Sequence, residues 1–174
     1  MTDIRVAALY HFARLDDYRE LQAPLLEKCL AEDIRGTLLL AEEGINGTIA
    51  GTPQGVANVL AYIRSDPRLS ELVHKDSFAD ELPFLRMKVR LKKEIVTMGV
   101  PGIDPTHIAG TYVKPEDWYE LISDPDVVEV DTRYDYEVEI GTFANSVDPK
   151  TTFFRQFPDW VKNNGDVLGN KKIA

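Results

Sequence analysis

The chain has 174 residues, 44% of them hydrophobic and 28% charged, which excludes a disordered protein and is ample for a buried core. Its net charge of −9 excludes a protein coated in basic surface, but the charge is uneven. Residues 1–100 hold 13 Lys and Arg against 15 Asp and Glu, whereas residues 101–174 hold 7 against 14, so a polyanion site belongs in the first half.

No apolar run approaches the length of a membrane span and no leader pattern opens the chain, so no membrane partner and a cytoplasmic location are expected. Cys29 is the one cysteine, which rules out an intrachain disulfide and a multi-cysteine metal site. It falls among Leu25, Leu26 and Leu30 at helical spacing, the pattern of a small buried hydrophobe. His11, His74 and His107 are far apart and make no metal-ligand motif.

In chain order, Ile4 to Tyr10 is a short apolar run suited to a buried strand. Asp16 and Asp17 then offer an N-cap for a helix over 17–33, with Pro24 as its weakest point. Gly36 ends the helix. Thr37 to Ala41, the segment Glu42 to Gly47 and Thr48 to Ala50 read as strand, turn and strand, with the glycines supplying positive φ in the turn. Thr52 or Pro53 opens a second helix carrying Val56, Val59, Leu60 and Ile63, which Asp66-Pro67 closes. Leu72 to Phe78 and Phe84 to Leu91 are further strands. This order predicts a ferredoxin-like split βαβ domain, α+β in class, over residues 1–93.

Residues 94–113 contain Gly99, Pro101, Gly102, Asp104, Pro105 and Gly110, and read as a linker. Lys114 to Ile122 suits a helix with Pro115 in its first turn. Val127 to Val130 is an apolar strand interrupted by Glu129, which suits a parallel α/β sheet covered on both faces. Phe153 to Asn163 supplies the next helix despite Pro158, and Lys171 to Ala174 begins another strand. Residues 114–174 are thus expected to form a partial α/β domain.

Three groups of residues bear on function. Arg86, Lys88, Arg90 and Lys92 alternate with Met87, Val89 and Leu91, so a strand there puts the four cations on one face. Such a row matches phosphates along a nucleic acid, or else solvates an edge strand and protects it from pairing. Asp131 and Arg133, with Glu137 four residues on, form either a structural ion pair or a support for a site at the carboxyl end of a sheet strand. Glu137 and Glu139 admit an acid/base pair, with nothing nearby to separate their roles. Two weaker signals are the acidic tip at Glu42 and Glu43 beside Asn46, and the aromatics around His11, Tyr10 and Phe12, which suit either a core or base stacking.

The stretch VVEVDTRYDYEVEIGTFANSV at 127–147 resembles the opening half of a rhodanese domain. Together with AEEGINGTIAG at 41–51 and LRMKVRLKKEIV at 85–96, it resembles the bacterial rhodanese-domain tRNA uridine hydroxylases. That resemblance implies a small N-terminal α/β domain, a rhodanese-like domain after it, and hydroxylation of the wobble uridine of tRNA at ring carbon five. It implies tRNA as partner and dioxygen as co-substrate, and it names no other cofactor. The family's Gly-His-Ile turn stands here as Gly141-Thr142-Phe143. The family's nucleophilic cysteine is expected beyond Ala174, which makes this chain an inactive fragment on that reading. A sheet interrupted there is expected to leave the edge beyond Val130 unpaired or abnormally covered, inviting intermolecular strand pairing or domain swapping. A non-catalytic rhodanese-like binding module and a sulfurtransferase are the alternatives.

Overall fold

Alternation along Ile4–Phe12 sets Ala7 and Leu9 against a core and Ala8 toward the opposite surface, which makes this segment strand β1. The computed structural model describes residues 4–100 and 110–174. Pro101, Gly102, Asp104 and Pro105, most of the expected linker's chain breakers, lie outside the described residues, as does His107. Of the described residues, 4–96 form one unit, and 97–100 with 110–174 form a second.

In the first unit, β1 is followed by α1 (Tyr18–Ala31), β2 (Arg35–Ala41), β3 (Gly44–Gly51), α2 (Pro53–Arg64), β4 (Val73–Ala79) and β5 (Met87–Leu91). The strands form one sheet in the order β4-β1-β3-β2-β5, antiparallel except where β5 runs parallel to β2. The first four strands and both helices make the ferredoxin-like arrangement, and β5 extends it at the β2 edge. Leu9, Leu38, Leu40, Ile45 and Ile49 of the sheet join Leu25 and Cys29 of α1 and Val56, Val59 and Ile63 of α2 in one core. Each such aliphatic side chain contributes about 1.5–3 kcal/mol by its burial, so this layer dominates the unit's stability. Polar ties fix the helices over it. Gln22 Nε2 donates to the Val89 carbonyl at 2.8 Å, and the Glu32 carboxylate accepts from Lys28 Nζ at 2.6 Å and Asn58 Nδ2 at 2.8 Å.

Local chemistry departs from expectation at both ends of this region. Asp17 occupies the position before α1, but its carboxylate makes no cap. It accepts instead from the Arg68 guanidinium, at 2.5 and 3.2 Å, because a charge-assisted pair outcompetes neutral backbone amides. At α2, Thr52 does cap, its hydroxyl oxygen accepting from Gly55 N–H at 3.0 Å. The β2–β3 turn is Glu42-Glu43, not the whole of 42–47, since β3 already begins at Gly44. Gly47 therefore lies within the ladder, where a Cβ would come 2.1 Å from the Thr37 carbonyl oxygen. Close backbone approach, not turn geometry, explains that glycine. Helix α1 runs unbroken through Pro24.

The second unit holds α3 (Pro115–Ser123), β6 (Val127–Val128), α4 (Asp135–Ile140), α5 (Phe157–Asn163), α6 (Gly165–Leu168) and β7 (Lys172–Ile173). Strands β6 and β7 pair in parallel. Beyond β6, Val130 N–H donates to the Ala174 carbonyl on one side at 3.0 Å, while Val147 pairs with Glu129 and Asp131 on the other at 2.8 and 3.0 Å. Of the two states expected for the edge beside Val130, unpaired or abnormally covered, it is the covered one that is seen, with partners on both sides. The expected burial on both faces is not seen, because Val127 and Val128 are only half-buried. Among the described residues of this unit the buried hydrophobics are Val130, Val138 and Leu168. Helix α4 is one the sequence reading did not place, with Glu137 Oε2 accepting from Tyr134 N–H at 3.2 Å at its first turn. Helix α5 starts at Phe157 and not Phe153, which leaves Pro158 in the first turn where its missing N–H costs nothing. Among the described residues no helix is long and apolar enough to cross a membrane.

Candidate nucleic-acid interface

Strand β5 is an edge strand, and its inward face is fixed by Met87 and Val89, which are buried in the core. With those two side chains facing the helices, the strand's period of two turns Lys88 and Arg90 to the opposite face. The ladder extends one step either way, as Gly36 N–H donates to the Arg86 carbonyl at 3.2 Å and Lys92 N–H to the Leu40 carbonyl at 2.8 Å. Arg86, Arg90 and Lys92 are exposed and Lys88 is half-buried. The inward set is less complete, because Leu91 is 36% exposed at the strand's end. The geometry brings four cations into one row on an outer edge, and this placement suits both sequence readings, phosphate contact and edge protection.

The acidic tip does structural work. Glu43 Oε1 accepts from Ile95 N–H at 2.5 Å, and Asn46 Nδ2 donates to the Ile95 carbonyl at 2.9 Å. These bonds strap the chain beyond β5, with Ile95 itself buried. Tyr10 and Phe12 share the face of Arg90, half-buried, with ring centroids 6.4 Å apart at 71°. His11 points the other way, on the face of its register partner Ile45. The sequence did not single out Glu43 and Asn46 as a clamp, since both partners are backbone atoms of Ile95.

In the second unit Asp131 is the hub of the turn after β6. Its carboxylate accepts from Arg133 Nη2 at 2.6 Å and from the Thr142 hydroxyl at 2.8 Å, while Arg133 also donates to the Gly141 carbonyl at 2.7 Å. Glu137 accepts from Tyr134 N–H at the start of α4 and acts on Arg133 through its charge, not through a hydrogen bond. Asp131, Arg133, Gly141 and Thr142, with Trp118, Glu129 and Phe143, line a cavity of about 540 Å³. The Arg133 guanidinium, aided by Thr142, holds Asp131 down at about 2, and burial pushes Glu129 up, with Asp131 adding to the effect. Glu139 is exposed, so no second carboxylate is joined to Glu137 in a shielded pair.

The depressed Asp131 value has a pH signature. Its contribution to stability is complete above the ordinary aspartate value near 4 and is lost as pH falls through about 2. Trp118 and Trp160 both lie in the second unit, so tryptophan fluorescence reports its unfolding. Urea midpoints read this way are expected to fall more steeply between pH 4 and about 2 for the wild type than for Asp131→Asn. Equal slopes contradict the assignment.

Cys29 is fully buried on α1, and burial pushes its thiol up to about 12. It is expected to resist thiol reagents at neutral pH in the folded chain and to react once urea exposes it. Rapid labelling of the native protein contradicts that placement. Among the described residues no group of three or more His, Cys, Asp or Glu side chains is arranged to hold a metal ion.

The sheet, its paired helices and the cationic edge strand define an α+β domain of the ferredoxin type. The chain belongs to the family described as UPF0176 acylphosphatase like domain, whose model matches residues 4–95. Over 172 residues it is 58% identical to a tRNA uridine(34) hydroxylase of Agrobacterium fabrum, covering 99% of this chain and 55% of that protein. A tRNA uridine(34) hydroxylase of Sinorhizobium medicae is 57% identical over 169 residues, 97% of this chain and 54% of that protein. The chain spans about half the length of the curated relatives it matches. Among solved structures, a bacterial light-regulated adenylyl cyclase is similar at a TM-score of 0.42 and 16% identity, over 51% of this chain and 28% of that one.

Proposed function

We propose that this chain is the tRNA-contacting portion of a wobble-uridine hydroxylase. The observation that carries the reading is the 58% identity, over 99% of the chain, to a tRNA uridine(34) hydroxylase. In this reading residues 1–93 form the substrate-binding domain, 94–113 a linker and 114–174 part of a rhodanese-like domain. Arg86, Lys88, Arg90 and Lys92 contact tRNA phosphates. Asp131 and Arg133 brace the loop at the carboxyl end of β6, and Glu137 anchors the helix that follows. The reaction replaces the C5 hydrogen of uridine with a hydroxyl in the cytoplasm, with dioxygen as co-substrate and an external two-electron donor that reduces its second oxygen atom to water. Buried Cys29 takes no part in it.

Deletion of the gene encoding this chain, followed by nuclease digestion and mass spectrometry of total tRNA, tests the reading. Loss of 5-hydroxyuridine-derived nucleosides at the wobble position is expected, with recovery on re-expression during aerobic growth. Unchanged levels overturn it, and loss of a thiolated uridine instead points to sulfur transfer.

A further inference from the structure

The sheet face turned away from the helices is covered at its two ends and open between them. Residues 80–86 join β4 at one edge of the sheet to β5 at the other, leaving β4 beside Ile4 and reaching β5 beside Gly36. Ile4 and Ala50 are both buried, although strand alternation puts them on the face away from the helices. At the opposite end the Glu43 and Asn46 bonds strap Ile95 beside the sheet.

Between the covered ends the strand register lays out one transverse line. Lys75 of β4 stands opposite Ala8, Ala8 opposite Thr48, Thr48 opposite Thr37, and Thr37 beside Lys88 of β5. Ala8 and Lys75 are exposed, and Thr37, Thr48 and Lys88 are half-buried. Four strand spacings separate the two lysines, roughly 19 Å along the line. Arg35 at the start of β2 and Arg90 of β5 flank it on the same face. Among the described residues none of Arg35, Lys75, Lys88 and Arg90 forms an ion pair. No Asp or Glu occupies a strand position on this face, in a chain whose net charge is −9.

A floor of alanine and threonine with a cation at either end leaves room for a chain to lie flat across the sheet. It supplies hydroxyl donors along the way, and Val73, Tyr10 and Leu39 on the neighbouring line of the same face offer surface on which bases can stack. A repeating polyanion with hydroxyl-bearing sugars fits those features. We propose that this band is a track for an RNA backbone, and that Arg35 and Lys75 bind phosphates together with the β5 row. The inference rests on the tRNA reading above and extends it to the far edge of the sheet, where β4 has no sequence signal of its own.

The test is the salt dependence of affinity for fluorescently labelled tRNA, measured on the 174-residue chain between 50 and 200 mM salt. Wild type, Arg35→Gln/Lys75→Gln and Arg86→Gln/Lys88→Gln/Arg90→Gln are compared, with circular dichroism confirming that each is folded. Loss of two phosphate contacts is expected to reduce the slope of log affinity against log salt by roughly 1.5–2 in the Arg35/Lys75 variant. The charge-preserving Arg35→Lys/Lys75→Arg variant is expected to keep most of that slope. An unchanged slope in the Arg35/Lys75 variant, beside a reduced one in the β5 variant, overturns the track and leaves the tRNA reading standing. A wild-type chain that does not bind tRNA overturns both.

Discussion

Replacing Gly47 with valine is expected to destabilise the first unit by about 4 kcal/mol or more, enough to unfold most domains of this size at modest urea. Gly47 lies on β3 beside β2, near the centre of the sheet, at φ +154°. A Cβ there would sit 2.1 Å from the Thr37 carbonyl oxygen and 2.9 Å from the Leu38 Cα. These are backbone atoms of the neighbouring strand, so no rotamer change relieves the contact. Gly36, on β2 opposite Ile49, shows the reciprocal crowding, with a Cβ 2.1 Å from the Thr48 carbonyl oxygen. Relief requires β2 and β3 to part where Leu38, Leu40, Ile45 and Ile49 fill the core. Gly110→Ala is the control, since nothing lies within 4 Å of that position, and a change within about 0.5 kcal/mol is expected. Urea denaturation followed by far-ultraviolet circular dichroism checks both, and a Gly47→Val midpoint equal to wild type contradicts the close approach.

Reversing Arg86, Lys88 and Arg90 to glutamate is expected to weaken tRNA binding by roughly 10²-fold at 50 mM salt and to flatten its salt dependence. The substitutions leave Met87 and Val89 in place, so the core contact of β5 survives. Each removed cation deletes one counterion-releasing contact, and each added carboxylate repels the phosphate that the cation had contacted. Filter binding at several salt concentrations measures the effect. Affinity at low salt equal to wild type removes the phosphate role and leaves edge protection as the explanation of the row.

Much of the first unit was legible because its strands and helices follow simple periods: Val56, Val59, Leu60 and Ile63 mark α2, and the alternation of Met87 and Val89 with basic residues marks β5. What the sequence could not show was register. Gly44 and Gly47 look like turn residues until β3 is seen to begin at Gly44, and Asp17 looks like a cap until Arg68, distant in sequence, is seen to reach it. The cationic row on β5 was readable as a local pattern. Arg35 and Lys75 join its face only through strand pairings across the sheet, which no local pattern encodes. In the second unit the short α4 escaped notice because six residues rich in acid carry no helical stripe, and the bond between Glu137 and Tyr134 N–H is what marks its start.

The proposed contact places tRNA on the β5 side of the sheet of the first unit. Hydrogen exchange of the chain with and without tRNA, resolved by peptide, tests it most directly. Slower exchange on tRNA addition is expected in peptides covering Arg35–Ala41 and Met87–Leu91, where phosphates held by the row shield the edge. Protection confined to residues 110–174, or none at all, contradicts the account.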